Sequence, residues 1–460
     1  METSSGVNYF KDKKVTVMGL GLLGRGIGDA RYIAESGAKE VIVTDLKTEE
    51  QLASSVAELA DLPNVTLHLG GHVLADFENV DLVLVAAGVP IDSEFLVHAK
   101  KHNVPLKQSA ALFAELSHVP IIGVTGTRGK STVTHMIHHV LSVTTGEEVL
   151  LGGNVRGVSN LQLLKQVKED SLCVMELDSW QLQGFGWAGI SPAVAVFTNF
   201  MEDHLNYYER GGKSKAEAMD LYFLDKAQIF LHQEESGVLI TTPEVFTRAQ
   251  KLPGSIGQEV ILADASVLPE DMLLSMPGEH NRLNAALAYE ALKAVGMTED
   301  EIFAGFASFP GVEGRLQLIA TLDGVRVYND NNATTPQATT VAIKALAGDD
   351  KNIILIAGGA DKGIDTSALV LGIVAHVKQL VLIPGTGTDA LIASLEAAGY
   401  TDYVVVENLA VAVEEVRLAA TAPEVILFSP GFASFSQYKN EYERNDEFME
   451  LIKKYDPLEE

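Results

Sequence analysis

The chain contains a single cysteine, Cys173, among its 460 residues. That excludes an intrachain disulfide framework and leads us to expect a reducing, cytoplasmic setting. Cys173 lies in the apolar run Leu172-Cys-Val-Met175, where a small buried hydrophobe is expected rather than a nucleophile. Basic residues are scarce as well: 34 Lys and Arg stand against 62 Asp and Glu, a net charge of −28. Such a balance argues against nucleic acid and anionic membranes as partners. Any anionic substrate must then be met by a few well-placed cations. No apolar run approaches the roughly 20 residues of a membrane span. The opening Met1-Glu-Thr-Ser-Ser-Gly6 lacks the basic-then-apolar layout of a signal peptide. Low-complexity tracts and short-period repeats are missing too, and the acidic tail, residues 456–460, is expected to be solvated.

What is present is ample apolar material, 47% of the chain. At about 150 residues per domain, the length suggests three domains. The stretch that organises them is Gly123-Val-Thr-Gly-Thr-Arg-Gly-Lys-Ser-Thr132. The apolar run Val119-Pro-Ile-Ile-Gly-Val124 before it reads as a buried strand. Val133, Met136, Ile137 and Val140 after it recur at helical spacing. A glycine turn between strand and helix aims backbone N–H groups and a helix N-terminus at one point, which suits a polyphosphate. Lys130 would neutralise terminal phosphate charge, and Ser131 or Thr132 would put a hydroxyl on Mg²⁺. The usual longer loop has a further glycine where this chain has Val124, so the short form Gly126-Thr-Arg-Gly-Lys-Ser-Thr132 is what remains.

A second glycine turn lies earlier. Lys14-Val-Thr-Val-Met-Gly19 reads as a strand, followed by Gly19-Leu-Gly21-Leu22-Leu23-Gly24. The next strand, Glu40-Val-Ile-Val-Thr44, ends at Asp45. A diphosphate on a helix N-terminus, with Asp45 bonding a hydroxyl or a base, fits this spacing. Asp81-Leu-Val-Leu-Val-Ala86 then leads into a loop containing Gly88, at the sheet edge where ligands bind in open α/β folds.

Beyond the phosphate loop, Val149-Leu-Leu-Gly-Gly-Asn154 reads as strand and turn. Ser171-Leu-Cys-Val-Met-Glu176 is a buried strand ending on a carboxylate placed to hold Mg²⁺ directly or through water. Ala193-Val-Ala-Val-Phe197 leads into Thr198-Asn-Phe-Met-Glu-Asp-His204, which crowds two acids and a histidine at one strand end and points to a metal or phosphate role. Asn281 and Asn284 share one face near a helix N-terminus. Five further strands, with helical segments between them, follow Pro310-Gly-Val-Glu-Gly-Arg315 and predict a third parallel α/β unit. Polar loops follow those strands at Asn329-Asp-Asn-Asn-Ala-Thr334, at Gly358-Gly-Ala-Asp-Lys362 and at Ser429-Pro-Gly-Phe-Ala-Ser434. Two phosphate turns in separate α/β units imply phosphoryl transfer.

With these motifs in this order, the chain resembles the Mur ligases of peptidoglycan synthesis over nearly its whole length, and their D-glutamate-adding branch most. The further motifs that carry the resemblance are Glu176-Leu-Asp-Ser-Trp-Gln-Leu182, His280-Asn-Arg-Leu-Asn284 and Tyr328-Asn-Asp330. The resemblance implies three α/β domains, 1–116 for a UDP-linked substrate, 117–309 for ATP and 310–460 for the amino acid. The first and third would be Rossmann-like and the second a P-loop domain. It implies ATP-dependent amide-bond formation through an acyl phosphate, with UDP-N-acetylmuramoyl-L-alanine and D-glutamate as substrates, in a cytoplasmic monomer. Gly19, Gly21, Leu22, Leu23, Gly24, Asp45, Gly88 and Asn154 would hold the UDP-linked substrate. Gly126, Thr127, Arg128, Gly129, Lys130, Ser131 and Thr132 would hold ATP phosphates. Asn281 and Asn284 would meet adenine, and Arg315 and Asp330 would close over the nucleotide. Thr132 and Glu176 would serve one Mg²⁺ and His204 a second. Lys226, in Tyr222-Phe-Leu-Asp-Lys226, matches a lysine carbamylated by CO₂ that supplies oxygens to Mg²⁺. Thr334, Lys362, Ser434 and Phe435 would hold D-glutamate.

The chain departs from the family pattern at three places. Arg128 stands where the branch usually has Asn, Asn332 where it has Lys, and Glu441 where it has a pocket aromatic. Arg128 could replace the cation missing at Asn332, whereas Glu441 would repel a glutamate substrate unless it points away. Two alternatives follow: a related ligase adding a different amino acid, and an NAD-dependent oxidoreductase. The latter would account for Gly19–Gly24 and Asp45 but not for the second loop, Glu176 or His204.

Overall fold

The computed structural model describes residues 8–21, 24–146, 148–253, 257–435 and 437–455. Leu22, Leu23 and the acidic tail 456–460 lie outside the described residues. Within them no helix is long and apolar enough to cross a membrane. The chain forms two compact units, Met1–Val267 with Asn284–Gly305, and Leu268–Leu283 with Phe306–Glu460.

The first unit holds two sheets. One comprises β1 (Lys14–Met18), β2 (Glu40–Asp45), β3 (Val65–Leu69), β4 (Leu82–Val85) and β5 (Leu106–Lys107), in the order β3-β2-β1-β4-β5. All its pairings are parallel. The strand order reverses between β1 and β4, so the loops after them face a common crevice at their carboxyl ends. The other comprises β6 (Ile121–Thr125), β7 (Leu150–Gly153), β8 (Cys173–Glu176), β9 (Val194–Phe197), β10 (Val238–Thr241) and β11 (Glu259–Leu262). Its order is β11-β10-β9-β6-β8-β7, again parallel throughout. The middle strands are continuous apolar runs because helices cover both faces. In β6, β8 and β9 every residue is buried. Cys173 is fully buried in this core, and burial pushes its thiol up and keeps it protonated.

The second unit holds β12 (Gln317–Leu322), β13 (Val325–Asn329), β14 (Ile353–Ala357), β15 (Val377–Leu382), β16 (Tyr403–Val405) and β17 (Val425–Phe428). The order is β12-β13-β17-β14-β15-β16. The expectation of an all-parallel sheet is corrected at one edge, where β12 runs antiparallel to β13. Only Asp323 and Gly324 separate these strands, with φ of 49° and 85°. Two residues cannot make a parallel crossover, but an Asp-Gly pair with positive φ closes a tight hairpin.

Candidate functional site

The phosphate loop connects β6 to the helix Lys130–Thr145. Gly129 caps that helix at φ 81° and, being glycine, offers no capping side chain of its own. A helix N-terminus opened by glycine turns its first N–H groups towards the place an anion would take. The two loop glycines are sterically required. A Cβ on Gly126 would come within 1.9 Å of Thr198 Oγ1, and one on Gly129 within 2.4 Å of Asn284 Oδ1. The second contact also brings Asn284 to the loop. Residues after β9 clasp it from the other side: Thr127 N donates to Asn199 O (2.9 Å), Arg128 N to Asn199 Oδ1 (2.9 Å), and Thr198 Oγ1 to Arg128 O (2.6 Å). Lys130 Nζ folds back onto the carbonyls of Gly126 (3.1 Å) and Thr127 (3.2 Å). Thr132 is buried, whereas Ser131 is half-buried.

Around the loop lies a compact set of charges. Lys226, in the helix Lys215–Ala227, is 1% exposed, and its Nζ donates to Gly126 O at 2.7 Å. Burial first, and then the Lys130 cation, push this amine well below its ordinary value, against the pull of Asp178, Asp203 and Glu176. Glu176 ends β8 and is buried. His204 caps the next short helix in the left-handed region, at φ 54°, and its ring lies 4.6 Å from that of Trp180. Strained backbone at a non-glycine residue is typical of ligand-binding positions. Burial, with Lys130 and Lys226, pushes His204 down despite Asp203 and Asp178, so its imidazole is neutral near pH 7. A neutral imidazole is free to ligate a metal. Arg128, expected beside the triphosphate, pairs with Asp203 at 2.7 Å. Burial pushes Asp203 up, but His204 and Arg128 outweigh it and hold the carboxyl below its usual range.

In the first glycine turn Gly19, Gly21 and Gly24 all have positive φ. Asp45 accepts from Leu20 N (2.8 Å) and Gly21 N (3.2 Å) on Oδ2, and from Lys47 N (2.9 Å) on Oδ1. Its carboxylate therefore braces the loop. Burial pushes Asp45 up, but those three N–H groups and the Lys47 charge overcome it. Gly88, at φ 87°, presents its Cα to the Trp180 ring, with the nearest ring atoms 3.8 Å from where a Cβ would stand. Asn154 links Arg25, which follows the first glycine loop, to Glu176 at the end of β8. Its Oδ1 accepts from Arg25 NH1, its backbone N donates to Glu176 O (2.7 Å), and its Nδ2 lies 3.5 Å from Glu176 Oε1.

In the second unit Asp330 is buried after β13, accepting from Leu316 N (3.0 Å) and from Ser429 Oγ (2.7 Å). Burial raises its pKa to about 7, against those bonds and Arg315. Arg315 itself is exposed. Lys362 Nζ donates to Thr334 Oγ1 at 3.2 Å, bringing together two residues expected to hold the amino acid. Ser434 is 3% exposed, yet its Oγ has no hydrogen-bond partner among the described residues. Phe435 is exposed beside it. Asn281 Nδ2 donates to Pro277 O (3.0 Å). Asn332 Nδ2 donates to Glu313 O (3.2 Å), so it holds loop to loop where a lysine was missing. Glu441 is half-buried at the start of the helix Glu441–Lys453, and its carbonyl accepts from Asn331 Nδ2 (2.8 Å).

Reasoning from sequence missed several residues here. Arg25 follows Gly24 directly, and a cation at the first helical position after a glycine turn was a readable signal. Trp180 lay inside a quoted motif without a role. Arg444 gave no signal: it is fully buried and clamps the Asn331 side chain and backbone at 2.8 and 3.0 Å, 113 residues away.

The fold and site define a nucleotide-binding α/β protein with two glycine loops in its first unit. Family models match the Mur ligase middle domain over residues 124–252 and the Mur ligase glutamate ligase domain over residues 314–432. The chain is 34% identical, over 96% of its length and 99% of the relative's, to a UDP-N-acetylmuramoylalanine–D-glutamate ligase of Roseiflexus sp.. It is 31% identical, over 97% and 99%, to a protein of that name from Borreliella afzelii. Among solved structures it matches the UDP-N-acetylmuramate-alanine ligase of Thermotoga maritima at a TM-score of 0.59 and 17% identity, over 96% of this chain and 99% of that one. It also matches the MurF ligase of Thermotoga maritima in complex with ADP, at 0.57 and 16%, over 98% and 96%. The chain belongs to the Mur ligase family.

Proposed function

We propose that this protein is an ATP-dependent ligase that adds D-glutamate to UDP-N-acetylmuramoyl-L-alanine in peptidoglycan precursor synthesis. The observation that carries the reading is the phosphate loop, with Lys130 folded onto its carbonyls and a buried Lys226 behind it. The names and near-complete coverage of the curated relatives support the substrate pair. Residues 1–116 would take the UDP-linked substrate, 117–309 ATP, and 310–460 the amino acid.

The chemistry follows from the groups present. A carboxylate oxygen of the L-alanyl substrate attacks the γ-phosphorus of ATP, and ADP leaves. The amine of D-glutamate attacks the resulting acyl phosphate at carbon, losing a proton as inorganic phosphate departs and the amide forms. N–H groups at the end of the loop, from Gly129 to Thr132, together with Lys130, would stabilise the charge that builds on the transferred group, while Asn199 holds those of Thr127 and Arg128. Lys362 and Thr334 would meet a carboxylate of the amino acid, and Ser434 Oγ would gain the partner it lacks. The donor set fits Mg²⁺ in one respect that matters: Glu176 and the Thr132 hydroxyl are hard oxygens, and His204 is neutral. Mg²⁺ held there would neutralise phosphate charge. Lys226 fits carbamylation, because CO₂ adds only to a neutral amine and this one is desolvated beside another cation.

The test is inorganic phosphate release from ATP with UDP-N-acetylmuramoyl-L-alanine and a panel of amino acids. Release that requires D-glutamate and both other substrates is expected. Release with another amino acid instead would move the assignment to a sister ligase.

A further inference from the structure

Outside both glycine loops, three side chains of the first unit converge on one point. Glu78 follows the short turn Leu74–Phe77, and His98 lies in the helix Glu94–Lys101, which His102 caps. Glu78 Oε2 lies 3.0 Å from His98 Nε2 and 3.3 Å from His102 Nε2. One ligand atom from each of the three residues falls within 4.8 Å of the others. The spacing of His98 and His102, four residues apart on a helix, sets both rings on one face, with centroids 4.2 Å apart.

We propose that Glu78, His98 and His102 form a binding site for a divalent transition metal, zinc above all. The first argument is distance. Ligand atoms about 2.0–2.1 Å from a tetrahedral zinc stand about 3.3 Å apart. Of the two separations around Glu78 Oε2, the one to His102 equals that edge and the one to His98 is 0.3 Å shorter. The second argument is proton bookkeeping. His102 Nδ1 lies 3.0 Å from the His98 carbonyl. A carbonyl oxygen only accepts, so Nδ1 carries the hydrogen, and in the neutral ring the lone pair sits on Nε2. That lone pair faces a carboxylate oxygen. A metal ion between those two atoms would be met by both. The Nδ1–H to carbonyl bond is also the outer bond that orients metal-ligating histidines. The third argument is location: the carbonyl end of a helix favours positive charge.

The donor set selects the metal. Two imidazole nitrogens and one carboxylate suit Zn²⁺, Co²⁺, Ni²⁺ or Cu²⁺, whereas Mg²⁺ and Ca²⁺ take oxygen. The site is therefore chemically separate from the Mg²⁺ positions discussed above. Three protein ligands leave further positions to water. A bound metal would staple the helix Glu94–Lys101 to the segment that precedes β4, adding stability to the first sheet.

The experiment titrates chelator-stripped full-length protein with ZnCl₂ in competition with a chromophoric chelator, in excess Mg²⁺. The wild type is compared with a His98→Asn/His102→Asn double variant and with Glu78→Gln. We expect the wild type to hold one more Zn²⁺ per chain than the double variant. Its melting temperature should rise on adding ZnCl₂, while that of the double variant should not. Equal zinc stoichiometry in the two proteins overturns the site. The second readout is the visible spectrum of the Co²⁺ form. Tetrahedral ligand-field bands in the wild type that fade in Glu78→Gln support it, and identical spectra refute it. ATP-dependent phosphate release should be the same in all three proteins without zinc, which separates this site from the ligase reaction.

Discussion

The Lys226 ammonium position and the Gly126 carbonyl, one hundred residues apart in the chain, meet at 2.7 Å beneath the phosphate loop. The pairing places a long basic side chain in a dry site already occupied by a second cation, Lys130. Lys226→Ala is expected to be nearly inactive and partly rescued by a short-chain carboxylic acid that fills the vacated space. A ¹³C-carbonate label on the wild type should give a carbamate resonance that is missing from the variant. Full activity in Lys226→Ala would sink the proposal.

Lys130→Ala should lower ATP-dependent phosphate release by about 10²–10³-fold, the range seen when one charge-stabilising donor is removed. Its folding should change less than its activity, because the two carbonyls its Nζ meets belong to its own loop. A melting curve and a turnover assay on the same sample separate the two effects. Normal turnover would remove this loop from the ATP site.

Asp45→Ala takes the acceptor away from the Leu20 and Gly21 amides. It should raise the concentration of UDP-linked substrate needed for half-maximal rate and leave the ATP requirement nearly unchanged. The reverse pattern would assign the wrong ligand to the first glycine loop. Arg25→Ala, which frees Asn154, should act in the same direction.

Ser434→Ala tests an unusual energetic position. A buried hydroxyl without a partner costs about 1–3 kcal/mol. Removing it should leave the ligand-free protein equally or more stable while raising the D-glutamate requirement. Lys362→Ala should raise that requirement as well. An unchanged D-glutamate requirement in both variants would detach this pocket from the amino acid.

Asp330 sets a pH dependence. Its folded pKa, about 7, lies above the value near 4 of an exposed aspartate. The folded state thus holds this proton more tightly than the unfolded state. The stability it contributes is fully present below about pH 4 and is lost as pH rises towards 7, at no more than about 1.4 kcal/mol per pH unit. Stability of the wild type should fall over that window more steeply than that of Asp330→Asn, measured by urea unfolding at several pH values. Parallel curves would show that Asp330 is already ionised in the fold.

The candidate sites were readable because they follow a simple local rule. A buried apolar strand must end somewhere, and in open α/β sheets ligands bind beyond the carboxyl ends of strands. Gly126, Glu176, Asp330 and the segment Thr198–His204 were proposed on that ground, and the structure puts each at or just past a strand end. Edge strands were harder. β3 and β11 are only partly buried, so their apolar pattern is weak, and β5 is two residues long. The β12–β13 hairpin carried its signal in Asp323-Gly324, but the expectation of crossovers concealed it. Contacts between distant segments left no trace in the sequence. Nothing near Lys226 reveals that its neighbour is Gly126, and nothing near Asn331 foretells Arg444.

Asn154 has consequences for the order of events. Its side-chain amide leans on Arg25 after the first glycine loop and on Glu176 at the end of β8, the strand beside β6. If the first glycine loop takes an anion as proposed, that anion would compete for the Arg25 guanidinium and release Asn154, which would alter what the Glu176 carboxylate meets. Linkage makes such an effect reciprocal: whatever factor the UDP-linked substrate applies to nucleotide affinity, the nucleotide must return. Calorimetric titration of each ligand with and without the other would measure that factor, and Asn154→Ala should bring it to one. The two loops would then fill independently, and any preferred sequence of substrate binding would vanish with a single amide.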